Sequence, residues 1–159
     1  MAKQQRSDKQ ERAELRGGIR RSSLLSWFRL ARSFQRIDRR TADHLRAFDL
    51  TVAQFDVLAQ VGAAEGITQQ RLADALLVTK GNVCQLLDRM EARDLIERRP
   101  AESGRAKHLH LTDAGHTLKQ VAVPSQEDLI DRCFSALSDE EQAQLARLLR
   151  KLEHSLLNS

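Results

Sequence analysis

From Ser22 onward, apolar side chains return every three or four positions: Leu24, Trp27, Phe28, Ala31, Phe34 and Ile37. That spacing predicts an amphipathic helix with Arg29, Arg32, Arg36 and Arg39 on its other faces. No Gly or Pro interrupts residues 19–61, so this helix is expected to run to about residue 46. Thr51 followed by Gln54 forms a capping-box pattern that opens a second helix. Val52, Phe55, Leu58 and Ala59 are its expected buried positions, and Gly62 its stop.

Shorter elements follow. Thr68 is placed to cap a brief helix with Leu72, Ala73 and Leu76 inward, and Thr79 to cap another reaching Met90 and Ala92. Only about one turn separates the two, which is the spacing of a helix-turn-helix. Leu95–Arg99 and His108–Leu111 alternate as strands do, around a Pro100–Lys107 tip that carries Ser103, Gly104 and Arg105. Helix resumes at Thr112, and Pro124 is expected to break or kink it. A last helix opens at Ser138, boxed by Glu141, and lines up Leu145, Leu148, Leu149, Leu152 and Leu156. The predicted fold is mainly α: a winged helix-turn-helix with a two-stranded β wing, flanked by long N- and C-terminal helices. Residues 1–18 form a flexible or partly helical basic arm and residues 49–115 the winged lobe. Residues 19–48 and 116–159 supply the flanking helices.

Charge adds a partner to this picture. The chain has 159 residues and a formal net charge of +4. Residues 1–46 hold 13 Lys/Arg against 5 Asp/Glu, and the remainder 13 against 17. A basic segment on a near-neutral body suits an anionic partner such as nucleic acid, although a solvated tail would look the same. There is no apolar run of membrane-spanning length and no signal-peptide pattern, so a soluble, cytoplasmic protein without a membrane partner is expected. No phosphate loop, nucleophile elbow or zinc-protease pattern is present, and an enzyme is not expected.

If Thr79–Ala92 is helical, Val83, Leu86, Leu87 and Met90 share one face. Gly81, Gln85, Asp88 and Arg89 then point the other way, with Asn82 on the flank. Asn and Gln can pair with adenine, and Arg with guanine, through major-groove base edges. Thr79, Lys80 and the open amides of the first turn suit a phosphate, and Gly81 permits close backbone approach. Arg105 at the tip is the expected minor-groove probe. Thr68, Arg98 and Lys107 complete the expected double-stranded DNA surface. An ordinary amphipathic surface helix, or a sequence-neutral architectural DNA binder, would present some of the same features.

The ordered segments Ile67–Ala73, Val78–Val83, Leu86–Glu91, Leu95–Arg99 and Leu109–Gly115 resemble the MarR family of bacterial transcription regulators. The match in order and spacing runs from about residue 22 to 157. The resemblance implies a ligand-responsive regulator, most simply a repressor. It would bind a pseudo-palindromic operator as a homodimer whose first and last helices interlock. The two apolar stripes point the same way independently, since Leu24 and Phe28 at one end and Leu145, Leu149, Leu152 and Leu156 at the other need cover. An intrachain helix pair would also cover them. The family wing usually has Asp two positions before its tip arginine, where this chain has Ser103 before Arg105.

The resemblance further implies a small anionic or phenolic effector. Asp56, projected near the buried face of the second helix, and Trp27 are the candidate effector residues. The Phe55–Leu58 run and the extended N-terminus are similar to a urate-responsive branch of the family. A structural ion pair from Asp56 to Arg89 or Arg93 is the competing reading. Cys84 and Cys133 offer a redox-responsive alternative, or serve as small packing residues. His108, His110 and His116 make at most a partial metal set and are expected to face solvent or phosphate. No metal or cofactor is expected.

Overall fold

The first apolar repeat forms α1, Ser22–Leu45, in the computed structural model, which describes residues 22–100 and 107–157. By internal contacts the chain divides into two units, residues 1–40 and 41–159. In the first unit, the described part of α1 leaves Leu24, Trp27, Phe28 and Phe34 exposed. The second unit begins with the last turns of α1, where Thr41 and Leu45 are buried.

A 3-10 turn, Arg46–Phe48, leads into α2, Val52–Ala63. Thr51 accepts from the Gln54 amide at 3.2 Å and Gln54 Oε1 accepts from the Thr51 amide at 2.9 Å, closing the predicted capping box. The buried face of α2 is broader than its sequence stripe. Gln54, Val57, Leu58 and Val61 are buried, while Val52, Phe55 and Ala59 are only half-buried. The helix packs on four elements, α3 (Gln69–Ala75), α4 (Lys80–Glu91), β3 (Lys107–Leu111) and α5 (Asp113–Phe134), so no single stripe defines its inside.

The sheet has three strands rather than the two expected. β1, Ile67–Thr68, pairs with β3, which pairs with β2, Ile96–Pro100; both pairings are antiparallel. Two residues are too few to show an alternating pattern. Gly66, at φ +82°, turns the chain so that its amide donates to the Leu109 carbonyl at 2.9 Å and seats β1 beside β3. Leu109 sits opposite Ile67 on one side and Arg98 on the other and is fully buried beneath the sheet. The core continues through Leu58, Leu72, Val83, Leu87 and Met90.

Three helical segments end alike. At Asp49, Leu77 and Asp94 the backbone turns left-handed, at φ 52°, 54° and 55°. In each case the next amide reaches back five residues, as Leu95 does to the Met90 carbonyl at 3.0 Å. This paired closure satisfies carbonyls that the helix end leaves open.

Pro124 does not break α5, which is continuous from Asp113 to Phe134. Proline removes one donor, and the deprived Gln120 carbonyl belongs to an exposed turn where water can serve it. Inside the second unit Gln126 donates to Thr41 Oγ1 at 3.0 Å, and His44 Nε2 lies 3.0 Å from Ser125 Oγ. α6, Asp139–Leu157, opens with the predicted Ser138–Glu141 box and has no buried residue. Leu145 is half-buried, and Leu148, Leu149, Leu152 and Leu156 are exposed.

Candidate nucleic-acid interface

α4 is held from one side only. Val83, Leu87 and Met90 are fully buried, Leu86 is half-buried, and Gly81, Asn82, Gln85, Asp88 and Arg89 are exposed. Thr79 caps the helix, its hydroxyl accepting from the Asn82 amide at 3.4 Å. A Cβ placed on Gly81 would meet nothing within 4 Å among the described residues, so this position is open. The result is a rigid helix whose polar side chains have the donor and acceptor chemistry of base edges. Thr68 stands as predicted at the head of α3, where its hydroxyl accepts from the Arg71 amide at 3.3 Å.

Arg98 occupies a different place from the one expected. Its side chain is only 13% exposed and is enclosed by acceptors rather than presented outward. Nη2 lies 2.8 Å from Asp88 Oδ1, Nη1 pairs with Glu91, and the Cys84 carbonyl accepts at 3.3 Å. With its amide oxygen turned toward the guanidinium, Gln69 accepts from Nε at 3.0 Å. One arginine on β2 thus holds both helices of the motif. Its backbone amide also donates to Glu91 Oε1 at 3.1 Å. Removing the cation leaves Glu91 and Asp88 facing one another, though the exposed Asp88 relaxes part of that cost. Arg98→Met is expected to lower stability by about 1–3 kcal/mol. Chemical denaturation checks this, and Arg98→Lys should restore only part, because ammonium cannot make the same fork of bonds.

The wing root is similarly tied down. His108 and His110 are half-buried with a ring nitrogen engaged by the chain rather than turned fully to solvent, whereas His116 is exposed as expected. His108 Nδ1 lies 2.6 Å from the Gly66 carbonyl, and His110 Nδ1 lies 2.9 Å from Glu65 Oε2. Glu65 also approaches His116 Nε2 at 3.5 Å and accepts from the Leu111 amide at 3.2 Å. Among the described residues no cluster is arranged to hold a metal ion. On β2, Arg99 pairs with Glu97, whose hydrogen bond and charge raise the guanidinium above its ordinary pKa and keep it cationic. Lys107 opens β3 at an exposed position. Ser103, Gly104 and Arg105 lie outside the described residues, as does the arm at residues 1–18. For Lys80 only the backbone position at the head of α4 is described.

The two effector candidates are both exposed. Trp27 is 61% exposed on α1, and Asp56 is on the exposed side of α2 rather than near its buried face. Arg93, one suggested partner of Asp56, bonds Asp49 at 2.9 Å and so ties the end of α4 to the turn after α1. Cys84 and Cys133 are half-buried and not joined in a disulfide.

Comparison with known proteins agrees with this arrangement. Residues 48–106 match a MarR-family model. The chain is 35% identical over 133 residues to an uncharacterised helix-turn-helix transcriptional regulator of Bacillus cereus, covering 82% of this chain and 89% of that one. It is 32% identical over 105 residues to the transcriptional regulator HosA of Escherichia coli O157:H7, covering 65% and 78%. A cysteine-to-serine variant of E. coli MarR, solved with operator DNA, superposes with a TM-score of 0.74 at 28% identity, over 82% of this chain and 95% of that one. The Staphylococcus aureus MepR–DNA complex gives 0.73 at 29%, over 86% and 96%. With its two capped helices, three-stranded wing sheet and exposed second helix, this chain belongs to the MarR family of winged helix-turn-helix transcriptional regulators.

Proposed function

We propose that the protein is a sequence-specific repressor that binds a pseudo-palindromic operator as a homodimer in the cytoplasm and leaves it when a small anionic or phenolic effector binds. The observation carrying the DNA part is the exposed face of α4, where Asn82, Gln85 and Arg89 stand on a helix anchored by buried Val83, Leu87 and Met90. MarR and MepR chains of this fold have been solved with DNA, and their similarity supports the reading. The dimer rests on the exposed apolar positions of α1 and α6, which are costly to leave in water. Two-fold symmetry then places half-sites about 10 bp apart, centre to centre.

The test is fluorescence anisotropy on duplexes selected from a random pool, across a salt series with random-DNA competitor and with the stoichiometry measured. Two subunits per site and a preference of at least about 1,000-fold over random DNA are expected. Equal loss to random competitor would favour an architectural binder instead. Release by phenolic anions, screened on the same complex, tests the effector.

Arg89→Ala should cost about 1–3 kcal/mol of operator binding and relax selection at one base position. Repeating the random-pool selection with the variant shows which position has lost its preference. A uniform loss over every sequence would make Arg89 a phosphate contact.

A further inference from the structure

The turn between α3 and α4 holds a bulky apolar side chain where the backbone favours glycine. Leu77 donates to the Asp74 carbonyl at 3.2 Å and Val78 to the Ala73 carbonyl at 3.1 Å, which fixes Leu77 at φ 54°. A left-handed backbone crowds Cβ against the following carbonyl, so this position is normally glycine or a short polar residue. Asp49 and Asp94, at the two equivalent helix ends, follow that rule. Leu77 does not, and the core gives it nothing in return, for it is 88% exposed beside Val78 at 43%. The fold alone does not account for leucine here.

Its neighbours indicate an external contact. Two residues later Thr79 caps α4, and the exposed Gly81, Asn82 and Gln85 follow at once. In a helix-turn-helix the start of the second helix enters the major groove, so the turn before it stands at the groove's edge. The apolar group displayed in that groove is the thymine C5-methyl. We propose that Leu77 is a specificity-determining residue that packs on a thymine methyl of the operator. It selects thymine over cytosine, which lacks the methyl. The assignment rests on the operator-binding reading above and adds a base preference to it.

The experiment uses the full-length dimer and operator duplexes selected from a random pool. Each thymine is replaced in turn by deoxyuridine, which keeps the base pairing and removes the methyl. One replacement per half-site should cost the wild type about fourfold in affinity, the worth of one buried methyl. Leu77→Gly should bind the thymine duplex several-fold more weakly, ignore that replacement and melt at a higher temperature than the wild type. Leu77→Met should keep the sensitivity. The assignment is overturned if Leu77→Gly loses the same factor on thymine and deoxyuridine duplexes, binds as the wild type does, or melts lower. If the wild type selects no sequence at all, the operator reading itself fails and this one with it. A clear consensus without the coupling removes Leu77 alone.

Discussion

Leu152→Glu, a single charge in the apolar stripe of α6, is expected to leave the monomer folded and abolish high-affinity operator binding. Leu152 is half exposed and α6 buries no residue within the chain, so the substitution opens no cavity. Glutamate is also a good helix former. In a dimer the same position would bury an unpaired carboxylate, which is strongly unfavourable. The cost at the interface passes to DNA binding, because a dimer presents its second lobe at a high effective concentration. Losing that linkage should weaken operator binding by about 10²- to 10⁴-fold. Sedimentation should show a monomer, with helical content retained by circular dichroism. Lys151→Glu alters the charge more but lies beside the stripe rather than in it, and should stay dimeric. A dimeric Leu152→Glu protein would assign the stripe to something other than self-association.

Those stripes were legible in the sequence because helix periodicity is local. Leu145 to Leu156 repeat at a spacing that needs no knowledge of the fold, and so do the caps at Thr51, Thr68, Thr79 and Ser138. The exposed face of α4 followed from the same geometry. What escaped was contact between distant segments. Arg98 looks like a surface cation in its strand, and only pairing of β2 beside α4 and α3 surrounds it with Asp88, Glu91 and Gln69. Glu65 gave no signal either, since its partners His110 and His116 lie more than forty positions away. Asp56 was misplaced because a helix packed against several elements has no single inside, and projection along one stripe then assigns the wrong edge.

Gly115→Ala is expected to be among the most damaging single-methyl changes in the chain. Thr112 caps α5 by accepting from the Gly115 amide at 3.0 Å, which sets the first turn against the end of α4. A Cβ at Gly115 would lie 2.0 Å from the Leu95 carbonyl oxygen and 3.1 Å from its carbon. Leu95 is held on both sides and is not free to yield. The Leu95 amide is held by the Met90 carbonyl at 3.0 Å, and the Leu95 oxygen accepts from the Thr112 amide at 3.3 Å. Relief therefore requires α5 to move away from the root of β2. Helix propensity favours alanine by about 1 kcal/mol, but overpacking against fixed backbone outweighs it, for a net loss of about 2–3 kcal/mol. Urea denaturation at a fixed protein concentration should show a lower midpoint with an unchanged slope. Ala114→Gly, at the exposed neighbouring position, should cost only about 1 kcal/mol. Because β2 carries Arg98, a displaced root also loosens the tie that sets α4, so operator affinity should fall further than the folded fraction alone would dictate. If affinity tracks the folded fraction alone, α5 and α4 are mechanically independent, and any effector acting through α5 would need another route to the DNA.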